Sequence, residues 1–175
     1  MGVVLALQTS HGGRPGPRGS GRLGDTPPTT EDLTKLPYTQ ALVREVMRLY
    51  PPAWIIQRDA IQQDRIGGFT IPAKSTLAIS PYVCHRNPEF WPDPETFKPE
   101  RFLGDVQHPF LSYLPFGAGP RSCMGVGFAM QEATIVLATL AARFRLTIDP
   151  DHRVEPNPTV TLRTTSELPM TLELL

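Results

Sequence analysis

The chain has 175 residues, 40% of them hydrophobic, which is the size and composition of one folded domain rather than of a disordered protein. Its 17 basic and 17 acidic residues give a formal net charge of zero, which argues against a nucleic-acid-binding protein and against a polybasic membrane module. The 20 prolines exclude an all-helical bundle, and two cysteines are too few for a disulfide framework.

Residues 1–22 differ in composition from the rest of the chain. The run HGGRPGPRGSGR consists mainly of Gly, Pro, Arg and Ser, and such a segment cannot bury enough apolar surface to offset its chain entropy. We therefore predict a disordered leader over 1–22 and a folded domain over 23–175. The opening MGVVLALQTS lacks the basic and apolar regions of a secretory signal and is too short to span a membrane, which favours a cytoplasmic location.

The first predicted regular element is helical, from Glu31 to Tyr50, with a division at Pro37 because proline is tolerated only in the first turn of a helix. The pair Pro51-Pro52 ends it. Beyond Pro37 an apolar stripe recurs at helical spacing and predicts the face that packs against the core. This stripe consists of Leu42, Val43, Val46, Met47 and Tyr50.

Two short strands are predicted next, Arg65–Ile71 with a break at Gly67-Gly68, and Thr76–Ile79. Seven prolines between Pro81 and Pro115 then exclude any long helix or central strand. Because seven aromatic side chains accompany these prolines, we expect this irregular segment to be packed and functional rather than disordered.

Apolar residues surround the predicted helix Val126–Arg143 on nearly all sides, which is typical of a buried helix. The tail Thr159–Leu175 alternates in polarity and contains β-branched residues, and we predict that it forms one hairpin. The lone histidines His85 and His108 lie near loops and are predicted to be structural or solvated.

The turn FGAGPRSCMG carries the most specific chemical signal. Its residues Phe116, Gly119, Arg121, Cys123 and Gly125 fit the pattern F-x-x-G-x-R-x-C-x-G. Each residue type of this pattern suits a cysteine thiolate that binds a soft metal ion. Glycines allow close approach of the backbone to the sulfur, the following helix N-terminus favours negative charge, and a phenylalanine shields the sulfur from water. An arginine in the same turn suits a carboxylate of the bound group.

This pattern resembles the haem-binding loop of the cytochrome P450 superfamily, the haem-thiolate monooxygenases. Two further sequences match family motifs in the same order, Glu45-Val46-Met47-Arg48 for E-x-x-R and Pro99-Glu100-Arg101-Phe102 for P-E-R-F. The resemblance implies a mainly α fold with small β-sheets (α+β) and a buried charge network of Glu45, Arg48 and Arg101. Helical periodicity alone predicts the opposite for Glu45 and Arg48, because both lie away from the apolar stripe.

The resemblance also implies a cofactor, haem b (iron protoporphyrin IX), with the Cys123 thiolate as axial ligand of the iron. The turn residues Phe116, Gly119, Arg121 and Gly125 would hold the haem, and Arg58 would bind a haem propionate. Two segments would line the substrate site: Ala53, Trp54, Ile55 and Ile56, and a hairpin tip at Ser166, Glu167 and Leu168. The expected partners are a small apolar organic substrate and an electron donor, either a ferredoxin or a flavoprotein reductase.

Only the C-terminal part of the family's fold is recognisable, and the helix that carries the oxygen-activating acid–alcohol pair has no counterpart. We therefore expect a truncated chain that has no catalytic residue beyond the haem ligand and does not by itself support monooxygenation. Two alternatives stay open. Cys123 could act as the nucleophile of a thiol enzyme with a distant histidine such as His85, or the chain could be a non-catalytic remnant.

Overall fold

The computed structural model describes residues 28–104, 108–109, 111–149 and 151–175. The predicted leader, 1–22, and the predicted start of the domain at residue 23 lie outside these ranges. The helices are α1 (Pro37–Leu49), α2 (Pro81–Cys84), α3 (Val126–Arg143) and three 3-10 helices (Thr30–Lys35, Pro99–Phe102 and Gly119–Arg121). The strands are β1 (Ile56–Asp59), β2 (Asp64–Ile66), β3 (Phe69–Ile71), β4 (Thr76–Ile79), β5 (Phe144–Ile148), β6 (Pro156–Pro158), β7 (Leu162–Thr164) and β8 (Met170–Leu174).

Helix α1 follows the sequence pattern closely. It begins at Pro37, after the 3-10 helix, and ends at Leu49, directly before Tyr50 and the Pro51-Pro52 pair. The predicted division at Pro37 is confirmed, because proline at the first helical position needs no hydrogen bond from its nitrogen. Leu42 and Val43 of its apolar stripe form the described core with Leu137 of α3.

The strands of the described ranges form four antiparallel pairs, β1–β4, β2–β3, β5–β8 and β6–β7. Hairpin β2–β3 turns at Gly67 and Gly68, whose φ angles of 57° and 86° are of the left-handed kind that favours glycine. The predicted break at this glycine pair is confirmed. The β2–β3 hairpin lies within the longer loop that joins β1 to β4, where Ile56 pairs with Ile79.

The prediction of one hairpin over the tail Thr159–Leu175 is wrong. Strand β7 pairs with β6, which precedes the tail, and β8 pairs with β5 at the end of α3, so that Met170 lies opposite Ile148. Alternating polarity indicates that a segment is a strand, but it contains no information about which partner that strand finds.

Helix α3 is much more exposed than its composition predicts. Its buried residues are Thr134, Leu137 and Ala138, whereas Phe128 is 72% exposed and Val136 is 50% exposed. The prediction of a helix buried on all sides is therefore wrong for the described chain. The reason is geometric: α1 covers one face of α3, and the described residues leave much of the opposite apolar surface open to solvent.

The proline-rich segment 81–115 contains the short helix α2 and one 3-10 helix, in agreement with the prediction of irregular structure. It is nevertheless tightly packed. Trp91 is 1% exposed, its indole Nε1 donates to the Ser112 carbonyl at 3.1 Å, and its ring contacts Phe102 and Tyr113. None of the helices in the described ranges is long and apolar enough to cross a membrane.

Candidate functional site

The cysteine turn, residues 116–125, has a backbone that only glycine adopts easily at two positions. Gly117 and Gly119 have φ angles of 74° and 73°, in the left-handed region. The Cys123 N–H donates to the Phe116 carbonyl at 3.0 Å, so the two ends of the turn are tied together. The turn therefore holds Cys123 at a fixed place three residues before α3 begins.

The side chain of Cys123 is exposed, and its surroundings are apolar. Met124 is fully exposed and Phe128 of α3 largely so. A Cβ atom added at Gly125 would lie 3.7 Å from the Cys123 sulfur, which is an ordinary van der Waals contact. A side chain at Gly125 would therefore not clash with the sulfur. The positions that need glycine are Gly117 and Gly119, because of their left-handed backbone.

Strand β1 lies beside the cysteine turn. A Cβ atom added at Gly117 would lie 3.6 Å from Cδ1 of Ile56, the first residue of β1. Residues i and i+2 of a strand point to the same side, so Arg58 shares the face of Ile56 that meets the turn. Arg58 and Arg121 are both exposed, and neither guanidinium forms an ion pair with a carboxylate of the described residues.

The three residues of the expected charge network are brought together. Arg48 Nε and Nη2 donate to the two carboxylate oxygens of Glu45 at 2.7 and 2.9 Å, a bidentate pair in which both side chains are 0% exposed. Arg101 Nε lies 3.5 Å from Glu45 Oε1, and its Nη2 donates to the Asp93 carbonyl at 2.7 Å. Glu45 Oε1 also accepts the Lys98 N–H at 2.8 Å. The exposed position that periodicity alone predicts for Glu45 and Arg48 is therefore wrong.

Arg48 connects α1 to the irregular segment that follows α2. Its Nη1 donates to the carbonyls of His85 and Pro94 at 2.8 and 2.7 Å, and its Nη2 donates to Thr96 at 3.3 Å. These carbonyls belong to a segment without regular structure, which cannot satisfy them internally. The polar face of α1 is thus buried because it supplies the hydrogen bonds that this segment needs.

His85 is completely buried and is held at both ring nitrogens. Its Nδ1 lies 3.1 Å from the Arg48 carbonyl, and its Nε2 accepts the Leu114 N–H at 2.6 Å. These partners require a neutral ring with the proton on Nδ1. Burial lowers the pKa of His85 to about 4, and the ring also contacts Tyr113 with a centroid distance of 5.2 Å. The prediction that His85 is structural is confirmed.

Residues 52–54, next to and within the segment expected to line the substrate site, contact the β6–β7 hairpin. Trp54 Nε1 donates to the Thr159 carbonyl at 2.7 Å, and the Leu162 N–H donates to the Pro52 carbonyl at 2.9 Å. The first contact joins Trp54 to the turn between β6 and β7, and the second joins Pro52 to the beginning of β7. Val160, in this turn, is 97% exposed.

Ser166, Glu167 and Leu168 do not form a hairpin tip. They lie in the connection between β7 and β8, two strands that belong to different sheets, and Ser166 Oγ lies 3.4 Å from His152 Nε2. The prediction of a hairpin tip at these residues is wrong because β7 and β8 do not pair with each other. The turn between β6 and β7 lies at residues 159–161, and Pro156-Asn157-Pro158 forms β6 itself, although proline and asparagine are typical of turns.

The family model described as cytochrome P450 matches residues 20–172 of this chain. The chain belongs to the cytochrome P450 family. The resemblance inferred from the cysteine turn, E-x-x-R and P-E-R-F is thereby confirmed.

Among P450 relatives, the chain is 41% identical over 142 residues to cyclooctatin synthase of Streptomyces melanosporofaciens, with 80% of this chain and 31% of the relative covered. It is 38% identical over 148 residues to the human ultra-long-chain fatty acid omega-hydroxylase, with 83% and 28% covered. The structure of a retinoic acid-bound cyanobacterial P450 matches with a TM-score of 0.82 and 31% identity, covering 99% of this chain and 39% of that protein. The chain thus spans about a third of the length of these P450 relatives.

Proposed function

We propose that the Cys123 thiolate is the axial ligand of the iron of haem b, and that this chain is the haem-binding C-terminal part of a P450 monooxygenase. One observation carries the proposal: within a P450 chain, the motif cysteine is exposed in a turn that is locked by its own backbone hydrogen bond directly before α3. A thiolate at the beginning of a helix is favoured by the helix dipole.

The residues around Cys123 fit a porphyrin. The apolar macrocycle requires apolar surface, which Met124 and Phe128 provide in exposed form. Its propionates require cations, and the guanidinium groups of Arg58 and Arg121 have no carboxylate partner among the described residues. Arg58 lies on the face of β1 that meets the cysteine turn, which supports its role as a propionate ligand.

Each of these residues has a physical task in the proposed site. When bound, haem supplies the activation of dioxygen and the insertion of one oxygen atom into an apolar substrate, with electron donation from the Cys123 thiolate. The glycine turn and the hydrogen bond from the Cys123 N–H to the Phe116 carbonyl keep the sulfur in one position. With haem bound, Phe116 would limit the access of water to the sulfur. Glu45, Arg48 and Arg101 act at a distance, because they fix α1 against the segment that leads into the cysteine turn.

We further propose an apolar organic substrate and an electron donor of the ferredoxin or flavoprotein reductase type. The apolar compounds named for two relatives, a fatty acid and retinoic acid, support the substrate class. Residues 53–56 and Ser166–Leu168 stay the predicted lining of the substrate site, and Val160 joins them in this proposal, because the hydrogen bond of Trp54 to Thr159 brings the β6–β7 turn to residues 53–56. The 175 residues alone would bind haem weakly and not couple it to oxygenation, since the P450 relatives are about three times as long.

Haem reconstitution tests the ligand assignment. We expect the chain with added haem to give, after reduction and addition of carbon monoxide, the red-shifted Soret band that is typical of thiolate ligation. The Cys123→Ala variant loses this band, whereas Cys84→Ala, which removes the half-buried second cysteine, keeps it. An unchanged spectrum in Cys123→Ala would refute the assignment, and the absence of any saturable change on haem titration would favour a non-catalytic remnant.

A thiol enzyme with Cys123 as nucleophile is the second candidate, because the sulfur is exposed. It requires a general base within hydrogen-bond reach. His85 cannot serve, since backbone groups occupy both of its ring nitrogens. This candidate predicts ester or thioester turnover without haem that iodoacetamide abolishes, and we expect no such turnover.

A further inference from the structure

The segment that leads into the cysteine turn, residues 112–114, is held by side chains from elsewhere in the molecule. The Ser112 carbonyl accepts the indole N–H of Trp91 at 3.1 Å, and the Leu114 N–H donates to Nε2 of His85 at 2.6 Å. Trp91 and His85 are 1% and 0% exposed, and burial strengthens the hydrogen bonds that such side chains make. The backbone therefore enters the cysteine turn at a defined position.

His85 is also tied to the Glu45–Arg48 pair. Arg48 Nη1 donates to the His85 carbonyl at 2.8 Å, and His85 Nδ1 donates in return to the Arg48 carbonyl at 3.1 Å. Burial lowers the pKa of His85 to about 4, so near pH 7 the ring is neutral and its Nε2 stays a hydrogen-bond acceptor. One side chain thus joins the buried charge network to the backbone at Leu114.

Two backbone hydrogen bonds continue this connection to the cysteine. The Leu114 carbonyl accepts the Gly117 N–H at 3.1 Å, and the Phe116 carbonyl accepts the Cys123 N–H at 3.0 Å. Because Leu114 and Phe116 are two residues apart in one short turn, a displacement of Leu114 also displaces the carbonyl that holds Cys123. The position of the sulfur therefore depends on the acceptor that holds the Leu114 N–H.

We propose that His85 is a positioning residue of the cysteine turn: its Nε2 fixes the backbone of Leu114 and thereby the place of Cys123 relative to the Glu45–Arg48 pair. An N–H group that loses a buried acceptor moves to find another partner, which is usually water. Removal of the acceptor should therefore loosen the turn even where the space of the ring stays filled. The consequence for the iron rests on the proposed function of Cys123, whereas the connection to the turn does not.

Amide hydrogen exchange of the haem-free chain, followed by NMR, tests the connection. His85→Gln and His85→Met are the matched variants, because both side chains are unbranched and of similar length, but only glutamine carries an oxygen that can accept the Leu114 N–H. In His85→Met we expect the amides of Gly117 and Cys123 to exchange about tenfold faster, relative to the amide of Leu137 in the core. In His85→Gln both turn amides should exchange within about twofold of the wild-type rate.

Thr134→Val is the control for the loss of a buried hydrogen bond as such. It removes a hydroxyl that donates to the Met130 carbonyl at 2.7 Å within α3, and it should leave the exchange of the two turn amides unchanged. The proposal is overturned by unchanged exchange in His85→Met, by equal acceleration in His85→Met and His85→Gln, or by equal acceleration of the core amide and the turn amides. These are the results expected of a side chain that only fills space.

With haem added, the red-shifted Soret band of the reduced carbon monoxide complex gives a second readout. We expect most of this band to be lost in His85→Met and retained in His85→Gln, because a loosened turn no longer holds the thiolate in place. If the wild-type chain itself lacks the band, the assignment of Cys123 fails, and amide exchange still decides the role of His85. If the wild type has the band and His85→Met keeps it in full, His85 does not position Cys123.

Discussion

The two regions that carry the family motifs differ in how far the described residues bury them and supply their hydrogen-bond partners. Around Glu45 and Arg48, charges that are 0% exposed have hydrogen-bond partners from α1 and from residues 85–98, so this region is closed. Around Cys123, the thiol, the nearby apolar side chains and two arginines are exposed. We call Glu45, Arg48, His85 and their hydrogen-bond partners the frame: its polar groups are satisfied within the described residues. The surface around Cys123 is exposed and free to bind a ligand.

Removal of one partner from the buried pair should have the largest effect. Glu45→Ala leaves Arg48 as an uncompensated buried charge, and we expect a loss of about 3–5 kcal/mol in the free energy of unfolding, measured with urea. The control is Glu173→Gln, which breaks the exposed pair with Arg145 and should cost at most about 1 kcal/mol. Similar losses in the two variants would show that the charge network is not a closed frame.

The buried histidine should make the frame sensitive to acid. The pKa of His85 is about 4 in the folded chain and 6.5 for an unperturbed histidine, so the unfolded state binds more protons between these values. Stability is therefore fully present above pH 6.5 and falls by about 3 kcal/mol as the pH is lowered towards 4.

Urea unfolding between pH 4 and 7 measures this slope. In His85→Gln the part of the slope that is due to His85 should disappear, whereas His152→Gln, at a half-buried site between β5 and β6, should leave that part unchanged. An identical pH dependence of wild type and His85→Gln would contradict the prediction that protonation of His85 causes the loss of stability in acid.

Two glycines near Cys123 should respond to alanine with opposite sign. Gly119 has a φ angle of 73° and no neighbour within 4 Å of an added Cβ, so Gly119→Ala should destabilise by about 1–2 kcal/mol through backbone strain alone. Gly127 lies in α3 with equally open space, so Gly127→Ala should stabilise by about 0.5–1 kcal/mol. Thermal unfolding of the haem-free chain distinguishes the two, and destabilisation in both would mean that the space around α3 is filled.

Replacement of the cysteine itself should have the smallest effect on folding. Because the Cys123 side chain is exposed, Cys123→Ala should change the free energy of unfolding of the haem-free chain by less than about 0.5 kcal/mol, although we expect it to abolish the thiolate spectrum of the chain with haem. A large loss of stability would indicate that the sulfur has a packing role. The same urea titration that serves Glu45→Ala provides the measurement.

Proline and glycine predicted those helix ends and turns that one or two residues determine. Pro37 and Pro51 bound α1, and Gly67-Gly68 set the β2–β3 turn, because proline and glycine restrict or release the backbone wherever they occur. The cysteine turn was recognisable for the same reason, since its motif residues are close in sequence. The partners of β7 and β8 were not, because pairing depends on segments that lie far away along the chain.

What the sequence determined by itself is therefore the family, the bounds of α1, the turn at Gly67-Gly68, and the cysteine of the motif. What only the tertiary structure decided is which faces are covered. The polar face of α1 is buried because carbonyls some 40 to 50 residues further along the chain need its arginine, and much of α3 is exposed although its composition is apolar. Periodicity measures the preference of a face for water, whereas burial depends on whether another part of the molecule reaches that face.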